Sequence, residues 1–385
     1  MVEKLLSAPA FCGAKLTIHL DRVCANWRKL ADMTAPKARC AAVVKADAYG
    51  TGAAITAKAL YDAGARTFFT AIPSEGITVR EVCPDAEIYI LGGLFHGRAG
   101  TYELHGLRPV LNSLEEIEEW RLFNLGRETA LPAAIHIDTG MNRLGLTLDE
   151  AEELGTKRFE DVKPFLSLLM THLSCADEPT HPLNALQLER FKKMRGFFPG
   201  VPASMANSAG VFLGEEYHMD IARPGIAVYG GNPIPERENP MQAVASIHAE
   251  VVQVRWVEEG HGIGYSASLT ATKRSRIAVI SAGYADGLHR LAGSSDEKDG
   301  AHFFVGGHFV PLAGRVSMDL IALDVTHVPE DLVRRGTLVE VLGDNVLVDD
   351  LAKHAHTISY ELLTGLGRRY HRVYSDGSNQ PEAMA

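Results

Sequence analysis

The sequence predicts an α/β protein in which a (β/α)8 TIM-type barrel is followed by a mostly β domain. The first observation behind this prediction is an alternation of strand-like and helix-like patterns over about 200 residues. The second is that helical patterns become rare beyond Tyr229, where turns rich in Gly, Pro and Asp separate strand-like runs. A doubly wound open sheet is the competing arrangement for the first segment.

Eight runs with apolar or alternating character are predicted to be the barrel strands. They are Arg39–Lys45, Thr67–Ile72, Glu87–Leu91, Leu107–Leu111, Pro132–Asp138, Pro164–His172, Pro202–Asn207 and Ile221–Tyr229. Helical patterns lie between most of them, as in Ala53–Leu60 and Pro182–Met194. A third helix is predicted at Ser113–Phe123, where Ser113 and Glu116 have the spacing of a capping box.

The chain is predicted to divide into a cofactor-binding barrel at residues 14–243 and a mostly β domain at 244–385. Upstream, Ala14–Leu20 alternates like a strand and Asp21 can cap a helix to about Met33. The sequence leaves open whether a strand within residues 1–20 packs with the β domain. The strands of that domain are predicted at Val244–Val257, Arg276–Ser281, Ala301–Val305, His308–Leu312, Ile321–Val325 and Leu338–Leu342.

Composition and charge exclude several function classes. The 385 residues are 46% hydrophobic and 22% charged, an ordinary globular composition. A formal net charge of -10 argues against nucleic acid or an anionic membrane as the main partner. The 5 cysteines form no CxxC pair, and Met1–Pro9 lacks the apolar core of a signal peptide. We therefore expect a cytoplasmic protein with reduced thiols.

The barrel prediction places a lysine, Lys45, at the carboxyl end of a buried strand. Burial disfavours the ammonium form, and a neutral amine is what a Schiff base to a carbonyl or to pyridoxal phosphate requires. The alternative is that Lys45 has no chemical role and that its ammonium group extends to water at the barrel rim. Taken alone, Lys45 favours that alternative.

Further polar residues follow the later strands and therefore converge on the same rim, where barrel active sites lie. Each has a structural explanation: Asp138 as a helix cap, Arg143 as a surface cation, His172 as a core histidine, Ser208 as a turn residue and Arg223 as a rim ion pair. Together at one rim, they indicate a site.

Several motifs along the chain resemble those of a known protein family. Val43 to Gly52 resembles the pyridoxal phosphate signature of bacterial alanine racemases. The resemblance continues nearly to the end of the chain, in the family's order. It is carried by Asp138–Gly145, His172, Asn207-Ser208, Arg223–Ile226, Gly262–Tyr265, Gly283–Gly287, Arg315–Asp319 and Ser359–Glu361.

The resemblance implies an alanine racemase of fold type III that uses pyridoxal 5'-phosphate and supplies D-alanine for peptidoglycan. Lys45 matches the lysine that holds the cofactor as an aldimine, and Arg223 matches the arginine that faces the pyridine nitrogen. His172 matches a histidine at the cofactor. Phosphate contacts fall on Tyr49, Ser208, Gly225, Ile226 and Tyr360. Substrate contacts fall on Arg143, Met318 and Tyr284.

Two bases on opposite faces of the cofactor are implied for racemisation. Lys45 would serve one face, and Tyr265, which the family links to a histidine matching His172, would serve the other. A phenol needs a cationic environment to act as a base, for which His172 and Arg223 are candidates. In the family these groups come from different subunits of a head-to-tail homodimer, so a shared active site is implied here.

Four residues depart from the family's pattern. His136 occupies a position where many relatives carry a carbamylated lysine that steadies the arginine matching Arg143. Asn142 stands where glycine is common, Ser317 replaces a frequent cysteine and Thr51 replaces a usual histidine. The first two put substrate affinity in question, and none affects the proposed bases.

Alternative interpretations remain at the level of sequence. Gly262–Ala267 fits G-x-G-x-x-A but lacks a following helix, which argues against a dinucleotide site. Two pairs of histidines, His354 with His356 and His302 with His308, lack a carboxylate array, so no metal site is predicted. The rival functions are a broader amino-acid racemase, a related decarboxylase, a pyridoxal phosphate carrier protein and a cofactor-free aldolase with a Schiff-base lysine.

Overall fold

The computed structural model describes residues 12–377, and it begins with strand β1 (Ala14–His19) and helix α1 (Leu20–Thr34). Residues 1–11 of the predicted N-terminal segment and residues 378–385 of the predicted β domain lie outside the described residues. The described chain forms two compact units. One comprises residues 23–228 and 232–241, and the other comprises 12–22, 229–231 and 242–377.

The first unit contains the parallel strands of a barrel. Seven of them form one sheet in sequence order, β3 to β9, and the short strands β2 and β10 pair with each other. Their bounds are β2 (Arg39–Cys40), β3 (Ala42–Val43), β4 (Thr67–Thr70), β5 (Glu87–Ile90), β6 (Leu107–Leu111), β7 (Ala133–His136), β8 (Leu166–Met170), β9 (Ala203–Ser204) and β10 (Ile221–Ala222).

Backbone hydrogen bonds close this sheet into a ring. The continuous segment of β2 and β3 bonds to β10 through Ala41 N–H and Ala222 O at 2.9 Å. On the other side of β10, Arg223 N–H donates to Ala206 O at 2.8 Å, which joins β10 to the end of β9. The predicted eight-stranded barrel is therefore confirmed, and the alternative of an open doubly wound sheet is wrong.

Helices alternate with the barrel strands. They are α2 (Ala53–Asp62), α3 (Pro73–Val82), α4 (Ala99–Leu104), α5 (Leu114–Phe123), α6 (Leu148–Lys157), α7 (Phe159–Val162), α8 (Pro182–Arg195) and α9 (Glu215–His218). The Ser113 hydroxyl accepts from Glu116 N–H at the start of α5, as the capping-box spacing predicts. The Glu116 carboxylate, however, bonds to Asn112 N–H and Leu94 N–H instead of completing the box.

The second unit is mostly β, as predicted. Its larger sheet has eight strands, in which the order β16-β15-β18-β11-β1-β19 is extended by β14 on β11 and β17 on β14. Its strands after β1 are β11 (Ala245–Val257), β12 (Gly262–Ile263), β13 (Leu269–Thr270), β14 (Ser275–Ile280), β15 (His302–Val305), β16 (His308–Pro311), β17 (Ile321–Asp324), β18 (Leu338–Leu342) and β19 (His371–Ser375). Two short helices, α10 (Val348–His354) and α11 (Ser359–Thr364), complete it.

Strand β1 lies in this second sheet, between β11 and β19. Leu16 and Ile18, which alternate along β1, are fully buried, so the strand contributes one apolar face to the core of this unit. Within residues 12–377, every helix falls short of the length and apolarity required to cross a membrane.

Candidate active site

Lys45 follows strand β3 and precedes a left-handed turn, a conformation that is unfavourable for L-amino acids. Ala46, Asp47, Ala48 and Tyr49 have φ of 53°, 55°, 53° and 54°, which places four consecutive non-glycine residues in the left-handed region. Each such residue costs roughly 1–2 kcal/mol, so this conformation persists only because surrounding interactions hold it. Backbone bonds within the turn include Ala48 N–H to Val44 O and Gly50 N–H to Ala46 O.

The Lys45 ammonium is disfavoured at this position. Burial lowers the pKa of Lys45, the charge of Arg143 lowers it further, and the Glu75 carboxylate acts in the opposite direction. A lowered pKa increases the fraction of neutral amine, the form that attacks a carbonyl. This is the electrostatic condition that the sequence predicted for a Schiff-base lysine.

Ser208, Gly225 and Tyr49 converge beside this turn. The Ser208 hydroxyl accepts from Gly225 N–H at 2.8 Å and from Ala227 N–H at 3.2 Å. Ile226 begins the short 3-10 helix Ile226–Tyr229 and is buried. A Cβ atom at residue 225 would collide with the Tyr49 hydroxyl, so only glycine leaves room for that phenol. Hydroxyls and backbone N–H groups around a small residue form the donor set that phosphate prefers.

We expect Gly225→Ala to weaken binding of pyridoxal phosphate by ~10-fold or more, because the added methyl group displaces the Tyr49 hydroxyl. Titration of the cofactor-free protein with pyridoxal phosphate, followed by absorbance, measures this effect. Gly100→Ala is the matched control, since a Cβ atom there meets nothing within 4 Å. Equal affinity of the two variants would contradict the assigned cradle.

Arg223 is a buried cation that is bound by neutral acceptors. Its side chain donates to Ser204 Oγ and to the carbonyl oxygen of Thr171, the latter at 2.6 Å. Within residues 12–377 no carboxylate lies within ion-pair distance of it, although the residue is only 4% exposed. Burial lowers the pKa of Arg223 to about 9, which leaves the guanidinium charged at neutral pH. A buried cation held by neutral acceptors favours an electron-rich ligand atom beside it.

The two histidines at this rim are neutral. Burial, followed by the positive charges of Arg223 and Arg143, holds the pKa of His172 well below its usual range. His136 is 7% exposed, and burial together with Arg223 lowers its pKa to about 4. The sequence suggested His172 and Arg223 as cations that could help a phenol act as a base. Because His172 is neutral, only Arg223 carries a positive charge.

The His136 ring is held by Asn112. Nδ1 of His136 lies 2.9 Å from Asn112 Oδ1, and the Asn112 amide donates to Val110 O at 2.7 Å. Because the ring is neutral, its Nδ1–H donates to Asn112 and its Nε2 is left as an acceptor. The residue at position 136, which departs from the expected family pattern, is thus a neutral and oriented imidazole.

We expect His136 to make folding stability pH-dependent. Its folded pKa of about 4 lies below the unfolded value near 6.5, so the unfolded chain binds the extra proton between these pH values. The resulting stability is present above about pH 6.5 and is lost as the pH falls through this window. Between pH 7.5 and pH 5 the wild type should therefore lose ~2 kcal/mol more than His136→Asn in urea unfolding.

His96→Asn is the control for this pH dependence, because the His96 ring is fully exposed. It should retain the wild-type difference between the two pH values. A His136→Asn protein that also retains that difference would contradict the assignment of a neutral buried ring.

The loop after β7 carries Arg143, which is exposed. Asp138 Oδ1 accepts from Gly140 N–H and Met141 N–H, both at 2.8 Å, and so shapes the start of this loop. Asn142 has φ of 54°, and asparagine is among the few non-glycine residues that adopt this conformation readily. The backbone conformation at position 142 is thus compatible with asparagine.

In the β unit, Tyr265 begins a short 3-10 turn between strands β12 and β13 and is 69% exposed. The turn has two further residues in the left-handed region, Ser266 and Ala267. The Ser266 hydroxyl accepts from Arg315 Nη1 at 3.0 Å. The phenol is thereby presented outward from the β unit on a braced turn.

Tyr284 and Met318 lie on two segments that are bonded to each other. Tyr284 N–H donates to Ser317 O and Ala285 N–H donates to Met318 O, both at 3.0 Å. Arg369 pairs with Asp286 and Asp319, one from each segment, at 3.3 and 2.7 Å. Tyr284, Met318 and Tyr360 are all about half exposed. The four predicted site residues of this unit therefore lie on exposed turns and on helix α11.

The predicted residues fall into two groups, one in each unit. The barrel unit carries Lys45, Tyr49, Arg143, His172, Ser208, Arg223, Gly225 and Ile226, and the β unit carries Tyr265, Tyr284, Met318 and Tyr360. Sequence reasoning did not identify Glu75, Asn112 or Arg369 as parts of these groups. Glu75 had one local signal, its place three residues into a Pro-initiated helix.

Pyridoxal phosphate fits the barrel residues on three observations. The amine of Lys45 has a lowered pKa, Ser208 and Gly225 offer a hydroxyl and an N–H group beside Tyr49, and within residues 12–377 the Arg223 guanidinium has no carboxylate at ion-pair distance. No cluster of three or more metal-ligating side chains is found within residues 12–377. The donor set therefore suits an anionic organic cofactor.

Comparison with known proteins gives one family along the whole described chain. The family model of the alanine racemase N-terminal domain matches residues 18–233, and that of the C-terminal domain matches residues 244–374. The alanine racemase of Rhizobium meliloti is 46% identical over 97% of this chain and 100% of its own length. The biosynthetic alanine racemase of Agrobacterium fabrum is 44% identical over 94% of this chain and 93% of its own.

A solved structure is similar in fold and in sequence. Alanine racemase from Bartonella henselae, described with covalently bound pyridoxal phosphate, superposes with a TM-score of 0.88 at 37% identity. The match covers 94% of this chain and 99% of that chain.

Proposed function

This chain belongs to the alanine racemase family, and we propose that it interconverts L-alanine and D-alanine with Lys45 and Tyr265 as its two acid–base groups. It is an isomerase whose cofactor is pyridoxal 5'-phosphate. When bound, the cofactor withdraws electrons from the substrate's α-carbon and so acidifies the α-proton. The single observation that carries the residue assignment is the lowered pKa of Lys45 beside a cradle of phosphate donors.

Each barrel residue has a role that its surroundings support. Lys45 would hold the cofactor, and its neutral Nζ would take or return the substrate's α-proton on one face. Arg223 stays charged in its buried position and donates toward the pyridine nitrogen. His172 lines the cofactor site as a neutral ring. Tyr49, Ser208, Gly225 and Ile226 bind the phosphate, together with Tyr360 of the β unit.

The substrate is held through its carboxylate. The Arg143 guanidinium binds the carboxylate oxygens, and the main chain of Met318 adds a second contact. Tyr284 and Tyr360 narrow the space left for the side chain, which favours alanine. A larger substrate such as serine is expected to react more slowly. The expected difference is limited, since one or two added methylenes change specificity by no more than roughly a few hundredfold.

We propose that the protein acts as a homodimer in which one copy supplies Lys45 and the partner supplies Tyr265. The proposal assigns cofactor binding to the unit that contains the barrel, residues 23–228 and 232–241, and the second base to the mostly β unit. The exposure of Tyr265, Tyr284 and Met318 supports it, because these residues then have a surface to meet on a second copy. Size-exclusion chromatography with light scattering tests the dimer.

Solvent-deuterium exchange tests the activity. Purified, cofactor-loaded protein is incubated with L-alanine or D-alanine in deuterium oxide, and deuterium content and chirality are followed over time. Deuterium in both enantiomers, as they approach a one-to-one mixture, is the expected result. If alanine keeps its chirality, a panel of larger amino acids and carbon dioxide release separate a broader racemase, a decarboxylase and a carrier protein.

The role in the cell is proposed to be supply of D-alanine for peptidoglycan from within the cytoplasm. A deletion strain should then need added D-alanine for growth. Normal growth of that strain, with loss of growth on L-alanine as carbon source, would instead indicate L-alanine breakdown.

A further inference from the structure

The segment after Lys45 needs an external support. Backbone bonds join its left-handed residues to neighbours in the same segment, such as Ala48 N–H to Val44 O and Gly50 N–H to Ala46 O. In addition, Asp47 Oδ1 accepts from Ala53 N–H at the start of α2. These bonds link residues 44–53 among themselves. They do not connect the turn to the next β/α unit of the barrel.

Glu75 makes that connection. Its Oε1 accepts from Ala46 N–H at 2.7 Å, and its Oε2 accepts from Ala71 N–H at 2.8 Å and Ile72 N–H at 3.4 Å. Glu75 is the third residue of α3, whose first turn is fixed by Pro73. One carboxylate therefore joins the end of β4 to the backbone of the residue that directly follows Lys45. Bonds from an N–H to a charged acceptor are among the stronger ones in proteins.

Glu116 repeats this arrangement two β/α units later. It is the third residue of α5, and its carboxylate accepts from Asn112 N–H at 2.9 Å and from Leu94 N–H at 3.1 Å. Leu94 lies in the loop after β5, as Ala46 lies in the turn after β3. Glu75 and Glu116 thus make the same kind of contact between neighbouring loops. Of these two, it is Glu75 that supports the residue after Lys45.

We propose that Glu75 is a positioning residue for Lys45, which fixes the left-handed turn through Ala46 N–H and thereby the approach of the Lys45 amine to the cofactor. The proposal rests on the function proposed above, because it takes Lys45 to be the reacting lysine. Its geometric basis is independent of that function.

The charge of Glu75 has a second effect on the same side chain. Lys45 is acted on by Arg143, which disfavours its ammonium, and by Glu75, which favours it, while His172 nearby is neutral. Loss of the Glu75 charge therefore lowers the pKa of Lys45 further. Glu75 adjusts the protonation of Lys45 in addition to its direction.

The test compares Glu75→Ala and Glu75→Gln with Glu116→Ala as the matched control. Racemisation is measured on cofactor-loaded protein, and hydrogen exchange of peptides that cover residues 44–50 is measured by mass spectrometry on the full chain. We expect kcat to fall by roughly 10- to 100-fold in Glu75→Ala, with faster exchange in that segment, because small displacements of a reacting group are costly. Glu116→Ala should lower Tm without either change.

Glu75→Gln separates geometry from charge and serves as well if Glu75→Ala folds poorly. Its single amide oxygen keeps an acceptor but not the charge, so we expect a smaller loss of kcat and a pH–rate profile whose Lys45 limb moves to lower pH. If both Glu75 variants match Glu116→Ala in kcat, in exchange at 44–50 and in pH profile, the proposal is wrong. A wild type that exchanges no deuterium into alanine would instead refute the proposed function, while the exchange measurement would still report on the turn.

Discussion

Lys45→Ala is expected to lower racemisation of alanine by on the order of 10⁴-fold, the upper end of what a positioned acid–base group contributes. The variant loses both the amine that holds the cofactor and the group that moves the α-proton on one face. Chiral chromatography of alanine over time measures the activity. Borohydride treatment followed by intact-mass measurement shows whether the cofactor is still fixed to the chain.

Lys58→Ala is the control for this variant. Lys58 lies in helix α2, close in sequence, but its ammonium pairs with Asp62 at the surface. Both the activity and the borohydride-dependent mass increase should persist in Lys58→Ala. Retention of either property in Lys45→Ala would assign the reacting lysine elsewhere.

Tyr265→Phe is expected to lower deuterium exchange from one enantiomer of alanine by roughly 10²- to 10⁴-fold, with a smaller loss for the other. The phenol hydroxyl is proposed to act on one face of the substrate and Lys45 on the other. Removal of the hydroxyl therefore leaves a base on the Lys45 face only. The measurement is the initial rate of solvent-deuterium incorporation, taken separately from L-alanine and from D-alanine before either racemises.

Tyr374→Phe is a suitable control, because Tyr374 lies in strand β19 of the same unit. It should leave both exchange rates near those of the wild type. Equal losses from the two enantiomers in Tyr265→Phe would argue against a one-face role for this residue.

The barrel could be predicted because its signal is local. Most of the parallel strands lie in short apolar runs, and most runs are followed by a helix with its own start signals, such as Ser113 before α5. The ends of the runs were less well predicted. Ile221–Tyr229 reads as one strand, yet only Ile221–Ala222 pairs, and Ile226–Tyr229 forms a 3-10 helix. An apolar run indicates that a segment is buried, but a buried segment can be a strand or a 3-10 helix.

The site was predictable where its chemistry depends on residue type. A lysine after a strand, an arginine at the barrel rim and a glycine beside a phosphate donor are visible in the sequence as a pattern in a fixed order. The reason that position 225 must be glycine was not visible, because the Tyr49 hydroxyl that excludes a Cβ atom lies far away in sequence.

Protonation states were decided by the tertiary structure. His136 and His172 are neutral because both are buried and because Arg223 and Arg143, which come from different β/α units, add positive charge nearby. A sequence assigns each histidine its ordinary pKa. Only the arrangement of neighbours in space sets the sign and size of the change.

The sequence by itself determined the fold class, through the periodicity of its strands and helices, and the family, through motifs in a fixed order. It also nominated the side chains that we propose to react, because their residue types match the motifs of that family. The tertiary structure decided how those side chains are held. The left-handed turn after Lys45, the Glu75 carboxylate on Ala46 N–H and the Arg223 guanidinium on Thr171 O all depend on contacts between separate strands and helices. Such contacts are set by the closure of the barrel, which brings residues far apart in the chain to one rim.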